Sequence, residues 1–298
     1  MERVGQLWVA LVVAAQSVLP GFDSQPAKPP TTLPPPAVVK LQPPAPAPLK
    51  QAGAVAPVIE AKSALLIDLP SNTELYSKQP ELPLPIASIT KLMTALLVTE
   101  RLDPETPVGI PALPTTADES RMGLIPGDQL KADELLAGAL IASANDAAYS
   151  LAVQVAGSEE AFVKQMNQRA TQLGLRQTSF ATSSGFDKGK SYSTARELAV
   201  LSRAVLEQPR IRNLAGLKEL KIRSAGGTEY TLQTTDELIG GYLPVAGLKT
   251  GTTDEAGFCL VSVAVSGDRQ LLAIVLNSPD RFQENKSMLD WGLRSFSY

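Results

Sequence analysis

The pattern of hydrophobic and polar positions along the chain changes near residue 63. Beyond that point, short apolar runs bounded by turn residues favour strands near both ends of the segment. Two pairs of runs predict hairpins: Ala64–Asp68 with Leu75–Ser77 around Pro70-Ser71-Asn72, and Gly257–Ser266 with Gln270–Asn277 around Gly267-Asp268. Because no repeat of roughly 20 to 50 residues is visible, we expect a single domain here.

The middle of the chain has the spacing of amphipathic helices. Apolar residues recur every three or four positions, and capping residues mark several starts. Thr194 and Glu197 match a capping box, in which each side chain accepts a hydrogen bond from the backbone N–H of the other residue. The predicted helices are Ser88–Arg101, Asp133–Ala142, Asn145–Val155, Ser158–Leu173, Ala195–Glu207 and about Arg281–Phe296.

The order of these elements predicts an α+β fold. Strands lie at both ends of the segment and helices lie between them, so both chain ends contribute to one antiparallel sheet. We expect the terminal helix to cover one face of this sheet and a helical lobe to cover the other.

The first 60 residues differ in composition from the rest. An apolar run from Leu7 to Ala15 follows Met1-Glu2-Arg3, as in a secretory signal peptide, but is too short to span a bilayer of about 30 Å. Between Pro20 and Pro57 lie 12 of the 24 prolines, which favours an extended chain without a core. We predict a signal peptide or N-terminal anchor over residues 1–20, a proline-rich disordered spacer over residues 21–60, and a globular domain over residues 61–298.

Composition excludes several kinds of chemistry. With 27 basic and 30 acidic residues the net charge is −3. The chain therefore lacks the excess of positive charge that would indicate nucleic acid as a partner. The chain has no histidine, which removes Ser-His-Asp and Cys-His catalysis and histidine-bound zinc. Its single cysteine, Cys259, lies among apolar residues and is predicted to be a buried structural thiol. A hydrolase of this composition must use another base.

Ser88-Ile89-Thr90-Lys91 provides such a base at the start of a predicted helix. A spacing of three places the hydroxyl and the amine on one face. Lysine acts as a base only when its pKa falls from about 10.4 towards neutrality, through burial or a second cation. Lys249 is our candidate for that cation. Alone, the motif is a weak signal, because an N-cap serine followed by a surface lysine also explains it.

Two further motifs add polar groups. Ser143-Ala144-Asn145 lies between two predicted helices, where its hydroxyl can relay a proton and its carboxamide can hold a substrate backbone, although simple helix capping also explains it. Lys249-Thr250-Gly251 is predicted to end a strand. There, a lysine and a hydroxyl can bind a substrate carboxylate, and Gly251 permits a close approach of the substrate backbone.

The order S-x-x-K, S-x-N, K-T-G resembles the penicillin-binding D-alanyl-D-alanine carboxypeptidases. The resemblance covers about residues 60 to 298. Besides the three motifs it includes Pro126-Gly127-Asp128, Asp146-Ala147-Ala148, Ser193-Thr194-Ala195, Thr252-Thr253 and Trp291-Gly292. It implies a serine β-lactamase and transpeptidase-like fold, with residues 61–298 as the catalytic domain.

The resemblance also implies roles for individual residues. Ser88 would form an acyl-enzyme, Lys91 would accept its proton, and Ser143 with Lys249 would pass a proton to the departing D-alanine. The N–H groups of Ser88 and Thr252 would form the oxyanion hole. Asn145, Lys249, Thr250, Gly251 and Thr252 would bind substrate. We expect no metal and no cofactor, peptidoglycan stem peptides as substrate, and β-lactam antibiotics as covalent inhibitors.

Because stem peptides lie outside the cytoplasmic membrane, we expect a periplasmic or extracytoplasmic enzyme exported by its N-terminal signal. The chain ends soon after Trp291, so any anchoring is expected at the N-terminus. Relatives often have Asn-Thr-Asn-x-Leu-Leu where this chain has Thr234-Thr235-Asp236-Glu237-Leu238, and a histidine where it has Thr252. These departures affect substrate preference.

Three alternatives to the carboxypeptidase remain open. A D,D-endopeptidase that cuts peptidoglycan cross-links shares all three motifs. A class A β-lactamase normally also has a Glu-x-x-Leu-Asn string for deacylation, which this chain lacks, and Glu197 is better explained as part of the first turn of its helix. A non-catalytic β-lactam sensor is disfavoured because every reactive group is present.

Overall fold

The computed structural model describes residues 45–114, 120–186 and 190–298. Its strands are β1 (Leu49–Lys50), β2 (Ser63–Asp68), β3 (Thr73–Lys78), β4 (Leu84–Pro85), β5 (Pro107–Gly109), β6 (Gln129–Lys131), β7 (Tyr192–Ser193), β8 (Glu219–Arg223), β9 (Glu229–Gln233), β10 (Val245–Thr253), β11 (Gly257–Ser266), β12 (Arg269–Ser278) and β13 (Phe296–Ser297). Its helices are α1 (Lys91–Arg101), α2 (Ala132–Ile141), α3 (Asn145–Ala156), α4 (Glu159–Gln172), α5 (Ala195–Leu206), α6 (Pro209–Ala215) and α7 (Arg281–Arg294), with a 3₁₀ turn at Ala87–Thr90. The predicted signal or anchor and residues 21–44 of the predicted spacer lie outside the described residues.

A five-stranded sheet in the order β10-β11-β12-β2-β3 forms the centre of the fold, and every neighbouring pair is antiparallel. The predicted hairpins are β2–β3 and β11–β12. Asn72 and Gly267 adopt positive φ values of 58° and 60° in their turns, a conformation that asparagine and glycine adopt more readily than other residues. β2, from the start of the domain, lies between β3 and β12, so both chain ends form the sheet, as predicted.

Side chains alternate between two apolar layers across this sheet. All six residues of β2 are buried, as expected for a strand covered on both faces. Leu65 and Ile67 belong to the core that includes the helices α1 to α5, whereas Ala64 and Leu66 belong to a second core with Met288 and other residues of α7. The predicted α+β architecture, with a terminal helix on one face and a helical lobe on the other, is confirmed.

A buried carboxylate on helix α7 connects this helix to the segment before β2 through hydrogen bonds. Glu284 is 7% exposed and accepts hydrogen bonds from the backbone N–H of Ala61 at 3.0 Å, from that of Glu60, and from the Ser278 hydroxyl. Leu49–Lys50 pair with β13, so part of the segment predicted as spacer contacts the domain. The boundary between spacer and domain remains a prediction.

Several local features differ from the sequence expectations. The capping box at Thr194 is only half formed: the Thr194 hydroxyl accepts from Glu197 N at 3.1 Å. The Glu197 carboxylate instead accepts hydrogen bonds from Arg176 N at 2.7 Å and from the Thr178 hydroxyl at 2.6 Å. It fixes a loop rather than its own helix start. Helix α6 and the β8–β9 hairpin were not predicted. Across the described residues, no helix is both long enough and apolar enough to cross a membrane.

Candidate active site

Ser88 lies in a 3₁₀ turn, Ala87–Thr90, that precedes α1, rather than in the first turn of an α-helix as predicted. The turn is closed by a hydrogen bond from Ile89 N to Ile86 O at 3.1 Å. A 3₁₀ turn has three residues per turn, so residues i and i+3 are aligned along its axis. The Ser88 hydroxyl and the Lys91 amine therefore lie on one side, with 2.8 Å between Oγ and Nζ.

Two glycines allow other segments to pack directly on this turn. A Cβ at Gly185, which has φ +79°, would lie 1.9 Å from Ala87 O. A Cβ at Gly251 would lie 2.8 Å from Ile86 O and 3.3 Å from Ala87 Cβ. The turn that carries Ser88 thus occupies the space where a side chain at Gly251 would be. The expectation that Gly251 admits a substrate backbone stays a prediction.

Lys91 is fully buried, and its amine has three oxygen neighbours. Nζ lies 2.8 Å from Asn145 Oδ1 and 3.0 Å from Ser184 O, in addition to Ser88 Oγ. A carboxamide oxygen and a backbone carbonyl can only accept hydrogen bonds. In its neutral form the amine therefore donates both protons to these two acceptors, and its lone pair points to the Ser88 hydroxyl.

The electrostatic environment favours that neutral form. Burial and the positive charge of Lys249 hold the pKa of Lys91 well below its ordinary value, and the negative charge of Asp146 acts in the opposite direction. Lys249 thus acts on the pKa of Lys91 in the direction that the sequence analysis predicted for a second cation. Asp146 itself is buried and accepts hydrogen bonds from Gly123 N at 2.9 Å and Leu124 N at 3.0 Å.

The Ser143-Ala144-Asn145 motif connects α2 to α3, as predicted. Asn145 N donates to Ser120 O at 2.7 Å, which fixes the start of α3 against a neighbouring loop. Ser143 has φ 58° and is 6% exposed. Within the described part of the chain its hydroxyl forms no hydrogen bond with Ser88 or Lys91, so its relay role remains a prediction.

Lys249 and Thr250 lie inside β10, at the edge of the sheet, and not at the strand end as predicted. Pairing with β11 continues to Thr253 opposite Gly257, which extends the strand beyond the motif. Lys249 is 1% exposed and donates to Thr250 O at 3.0 Å. Burial and the nearby Arg281 guanidinium lower the pKa of Lys249 to about 7, and Asp236 acts in the opposite direction.

Arg281, at the start of α7, adds a cation that the motifs did not indicate. Its Nη1 donates to Gly251 O at 2.9 Å and to the Thr252 hydroxyl. Its guanidinium carbon lies 4.7 Å from the centre of the Phe282 ring, a distance typical of cation–π contacts. The guanidinium is thus fixed beside exposed Thr252.

The structure brings Ser88, Lys91 and Asn145 into direct contact, and places Lys249, Thr250, Gly251 and Thr252 on the adjoining strand. Sequence reasoning missed Ser184, Gly185, Asp146, Asp236 and Arg281. Asp146 adjoins the S-x-N motif and was a detectable acidic neighbour. Ser184 contributes only a backbone carbonyl and leaves no side-chain signal. Buried Cys259 confirms the predicted structural thiol, and burial raises its pKa to about 11.

The family profile described as D-alanyl-D-alanine carboxypeptidase, peptidase S11, matches residues 50–280. The chain belongs to this family. Membership confirms the resemblance inferred from the motifs. The carboxypeptidase DacF of Bacillus subtilis (strain 168) is 36% identical over 245 residues, which cover 80% of this chain and 63% of that protein. The chain thus spans less than two thirds of that relative's length.

Other proteins similar to this chain differ in their named activity. A D-alanyl-D-alanine endopeptidase of Escherichia coli (strain K12) is 34% identical over 229 residues, covering 74% of this chain and 73% of that protein. The crystal structure of the Streptomyces K15 DD-transpeptidase matches with a TM-score of 0.75 and 28% identity, covering 80% of this chain and 99% of that one. The predicted transpeptidase-like fold is therefore confirmed.

Gly185→Ala tests the packing of the Ser184-Gly185 segment on the 3₁₀ turn that carries Ser88. Gly174→Ala is a matched control, because Gly174 also has φ +79° but no atom within 4 Å of an added Cβ. Both changes place alanine in a left-handed conformation, at a cost of roughly 1–2 kcal/mol. We expect Gly185→Ala to cost about 1–3 kcal/mol more in the free energy of unfolding, measured by urea titration, because the Ala87 carbonyl must move. Equal losses in the two variants would contradict this packing.

Proposed function

We propose that this chain is a serine-type D-alanyl-D-alanine carboxypeptidase, a hydrolase that removes the terminal D-alanine from peptidoglycan stem pentapeptides. The observation that carries the proposal is the 2.8 Å separation between Ser88 Oγ and the amine of fully buried Lys91. Such a nucleophile and base need no histidine and no metal ion. Family membership supports the choice of substrate.

In the acylation step, Ser88 Oγ attacks the carbonyl carbon of the bond between the two D-alanines while Lys91 takes the hydroxyl proton. The backbone N–H groups of Ser88 and Thr252 stabilise the negative charge on the carbonyl oxygen, a contribution of about 2.7–4 kcal/mol per donor. The resulting tetrahedral intermediate collapses to an ester with Ser88. The C–N bond breaks, and the proton that Lys91 accepted passes through Ser143 and Lys249 to the departing D-alanine amine, which returns Lys91 to its neutral form.

The substrate carboxylate binds beside β10. Thr250, Lys249 and Arg281 supply a hydroxyl and two cationic groups there, and such charge-assisted hydrogen bonds are stronger than neutral ones. Asn145 both accepts from Lys91 and orients the substrate backbone. Water then attacks the ester, with Lys91 as base, and releases the shortened peptide and free Ser88.

A β-lactamase function is less well supported. The Glu197 carboxylate is engaged by Arg176 N, Gln177 N and the Thr178 hydroxyl, so it serves to hold a loop. A D,D-endopeptidase that cuts cross-links is the second candidate, supported by the identity with the Escherichia coli endopeptidase. Both activities use the same nucleophile and differ in the leaving group.

The location of the enzyme follows from its substrate. Stem peptides lie outside the cytoplasmic membrane, so we propose an extracytoplasmic or periplasmic enzyme that residues 1–20 direct for export. Residues 21–60 would form the spacer between that segment and the catalytic domain over residues 61–298.

Ser88→Ala is expected to abolish covalent labelling by a fluorescent penicillin and all product formation, because both need the same nucleophile. The full chain is incubated with a stem pentapeptide and, separately, with a cross-linked dimer, and products are identified by mass. Loss of one D-alanine from the pentapeptide supports the carboxypeptidase, and cleavage of the dimer alone supports the endopeptidase. Labelling without turnover of either substrate would support a sensor, and persistent labelling of Ser88→Ala would exclude Ser88 as the nucleophile.

The rate of acylation is expected to rise with pH as Lys91 loses its proton, because only the neutral amine accepts the Ser88 proton. Lys249→Met removes the cation that lowers the pKa of Lys91, so the rise should move to higher pH. Lys91→Met should reduce acylation by about 10²–10⁴-fold at every pH. Penicillin labelling rates from about pH 5 to about pH 10 measure both effects, with exposed Lys164→Met as the control. An unshifted rise in Lys249→Met would argue against coupling between the two lysines.

Cell fractionation with N-terminal sequencing tests the proposed location. We expect the protein in the envelope fraction, with a mature N-terminus near Gln16 if the signal is cleaved after Ala15. A protein with an intact N-terminus in the membrane fraction would indicate an anchor instead. Recovery in the cytoplasm with Met1 retained would contradict the export proposal.

A further inference from the structure

The loop that follows β9 contains a buried carboxylate to which the reaction scheme gives no role. Asp236 is 4% exposed, and its Oδ1 accepts a hydrogen bond from Leu238 N at 3.0 Å. Its Oδ2 is buried and has no hydrogen-bond partner among the described residues. An unpaired buried carboxylate oxygen lowers the stability of the folded protein, so we expect nearby charges that stabilise it.

This loop is held between the two halves of the active site. The Thr235 hydroxyl lies 2.6 Å from the Thr250 hydroxyl on β10. Thr235 N donates to Ile141 O at 3.2 Å, at the end of α2 and two residues before Ser143. Thr235, which precedes Asp236, therefore contacts Thr250, which follows Lys249.

Several charged groups act on this region, and they differ in sign. Burial and Arg281 lower the pKa of Lys249, and Asp236 raises it. Burial and the charge of Glu237 raise the pKa of Asp236, whereas the hydrogen bond from Leu238 N and the charges of Lys249 and Arg281 lower it. Lys249 and Asp146 act on the pKa of Lys91, and the buried Cys259 thiol acts on that of Arg281. Of these groups, Asp236 is the buried carboxylate that acts on Lys249.

We propose that Asp236 is a positioning residue: its buried carboxylate favours the ammonium form of Lys249, in a site whose burial and neighbouring guanidinium favour the neutral amine. The charge of Lys249 then has two uses. It binds the substrate carboxylate, and it favours the neutral form of Lys91. The effect of Lys249 on Lys91 applies to every substrate that acylates Ser88. The binding of a substrate carboxylate by Lys249 rests on the proposed function.

The direction of the effect follows from the charges. Burial and Arg281 lower the pKa of Lys249 to about 7, while Asp236 raises it. When asparagine replaces Asp236, the opposing influence is lost and the pKa of Lys249 falls further. Lys249 then loses its proton at a lower pH, so activity that depends on its charge should decline at a lower pH than in the unaltered protein.

Asp236→Asn tests this inference, because it removes the charge while keeping the shape. Glu237→Gln is the control: it removes one negative charge from the same loop at an exposed position. With an N-acylated peptide ending in D-alanyl-D-alanine, kcat/KM should decline with rising pH about 1 unit earlier in Asp236→Asn. The change should appear mainly in KM at alkaline pH. Glu237→Gln should have a profile close to that of the unaltered protein.

A purely structural role for Asp236 gives a different result. It would lower the thermal stability and reduce activity by the same factor at every pH, without moving the alkaline decline. That outcome, or an unchanged profile in Asp236→Asn, would overturn the inference, as would an equal shift in Glu237→Gln.

A direct titration separates this inference from the proposed function. In protein labelled with ¹³C at the lysine ε-carbon, the Lys249 signal is assigned by its absence from Lys249→Met and followed by NMR against pH. We expect its midpoint to fall by about 1 unit in Asp236→Asn, whether or not any peptide is hydrolysed. An unchanged midpoint would overturn the inference, whereas failure to cleave any D-alanyl-D-alanine peptide would count against the proposed function alone.

Discussion

The removal of two lysine side chains from water in one site is the constraint on which this active site depends. Lys91 and Lys249 are 0% and 1% exposed, and a buried ammonium is costly unless it is paired or loses its proton. The protein meets this cost differently for each residue. Lys91 has carbonyl acceptors suited to a neutral amine. Lys249 lies on a strand near Arg281, which lowers the pKa of its amine, and Asp236 raises that pKa. In the proposed reaction, Lys91 is therefore the base and Lys249 the cation that binds the substrate.

Such a division of roles requires a rigid backbone around Ser88. Ser88 lies on a turn in which Ala87 has φ 47°, a conformation that alanine seldom adopts. Neighbouring segments fix it: Gly185 packs on one part of the turn, and Gly251 of β10 on another. Without side chains, these two residues bring the Ser184 carbonyl and the Lys249 strand close to Ser88. The position of the reactive groups is therefore determined by close backbone packing.

The sequence was informative where a pattern has a local cause. The S-x-x-K spacing, the two hairpins and the strands at both chain ends all arise from short-range rules, and the structure has them. The β8–β9 hairpin was missed although Leu220, Ile222, Tyr230 and Leu232 alternate around Gly226-Gly227. By contrast, Ser184, Asp236 and Arg281 act through tertiary contacts with segments distant in sequence. No spacing rule identifies a backbone carbonyl or an isolated charge as part of a site.

The position of β2 in the sheet has a consequence for the order of folding. β2 is made early during synthesis, yet one of its neighbours is β12, which follows near the end of the chain. Pairing of distant segments is entropically costly and slows folding. The strand that carries Lys249 joins the same sheet through β11 and β12. A chain synthesised only as far as α5 therefore contains Ser88 and Lys91 without β10, β11 and β12, so we expect reactivity only after β12 has been made.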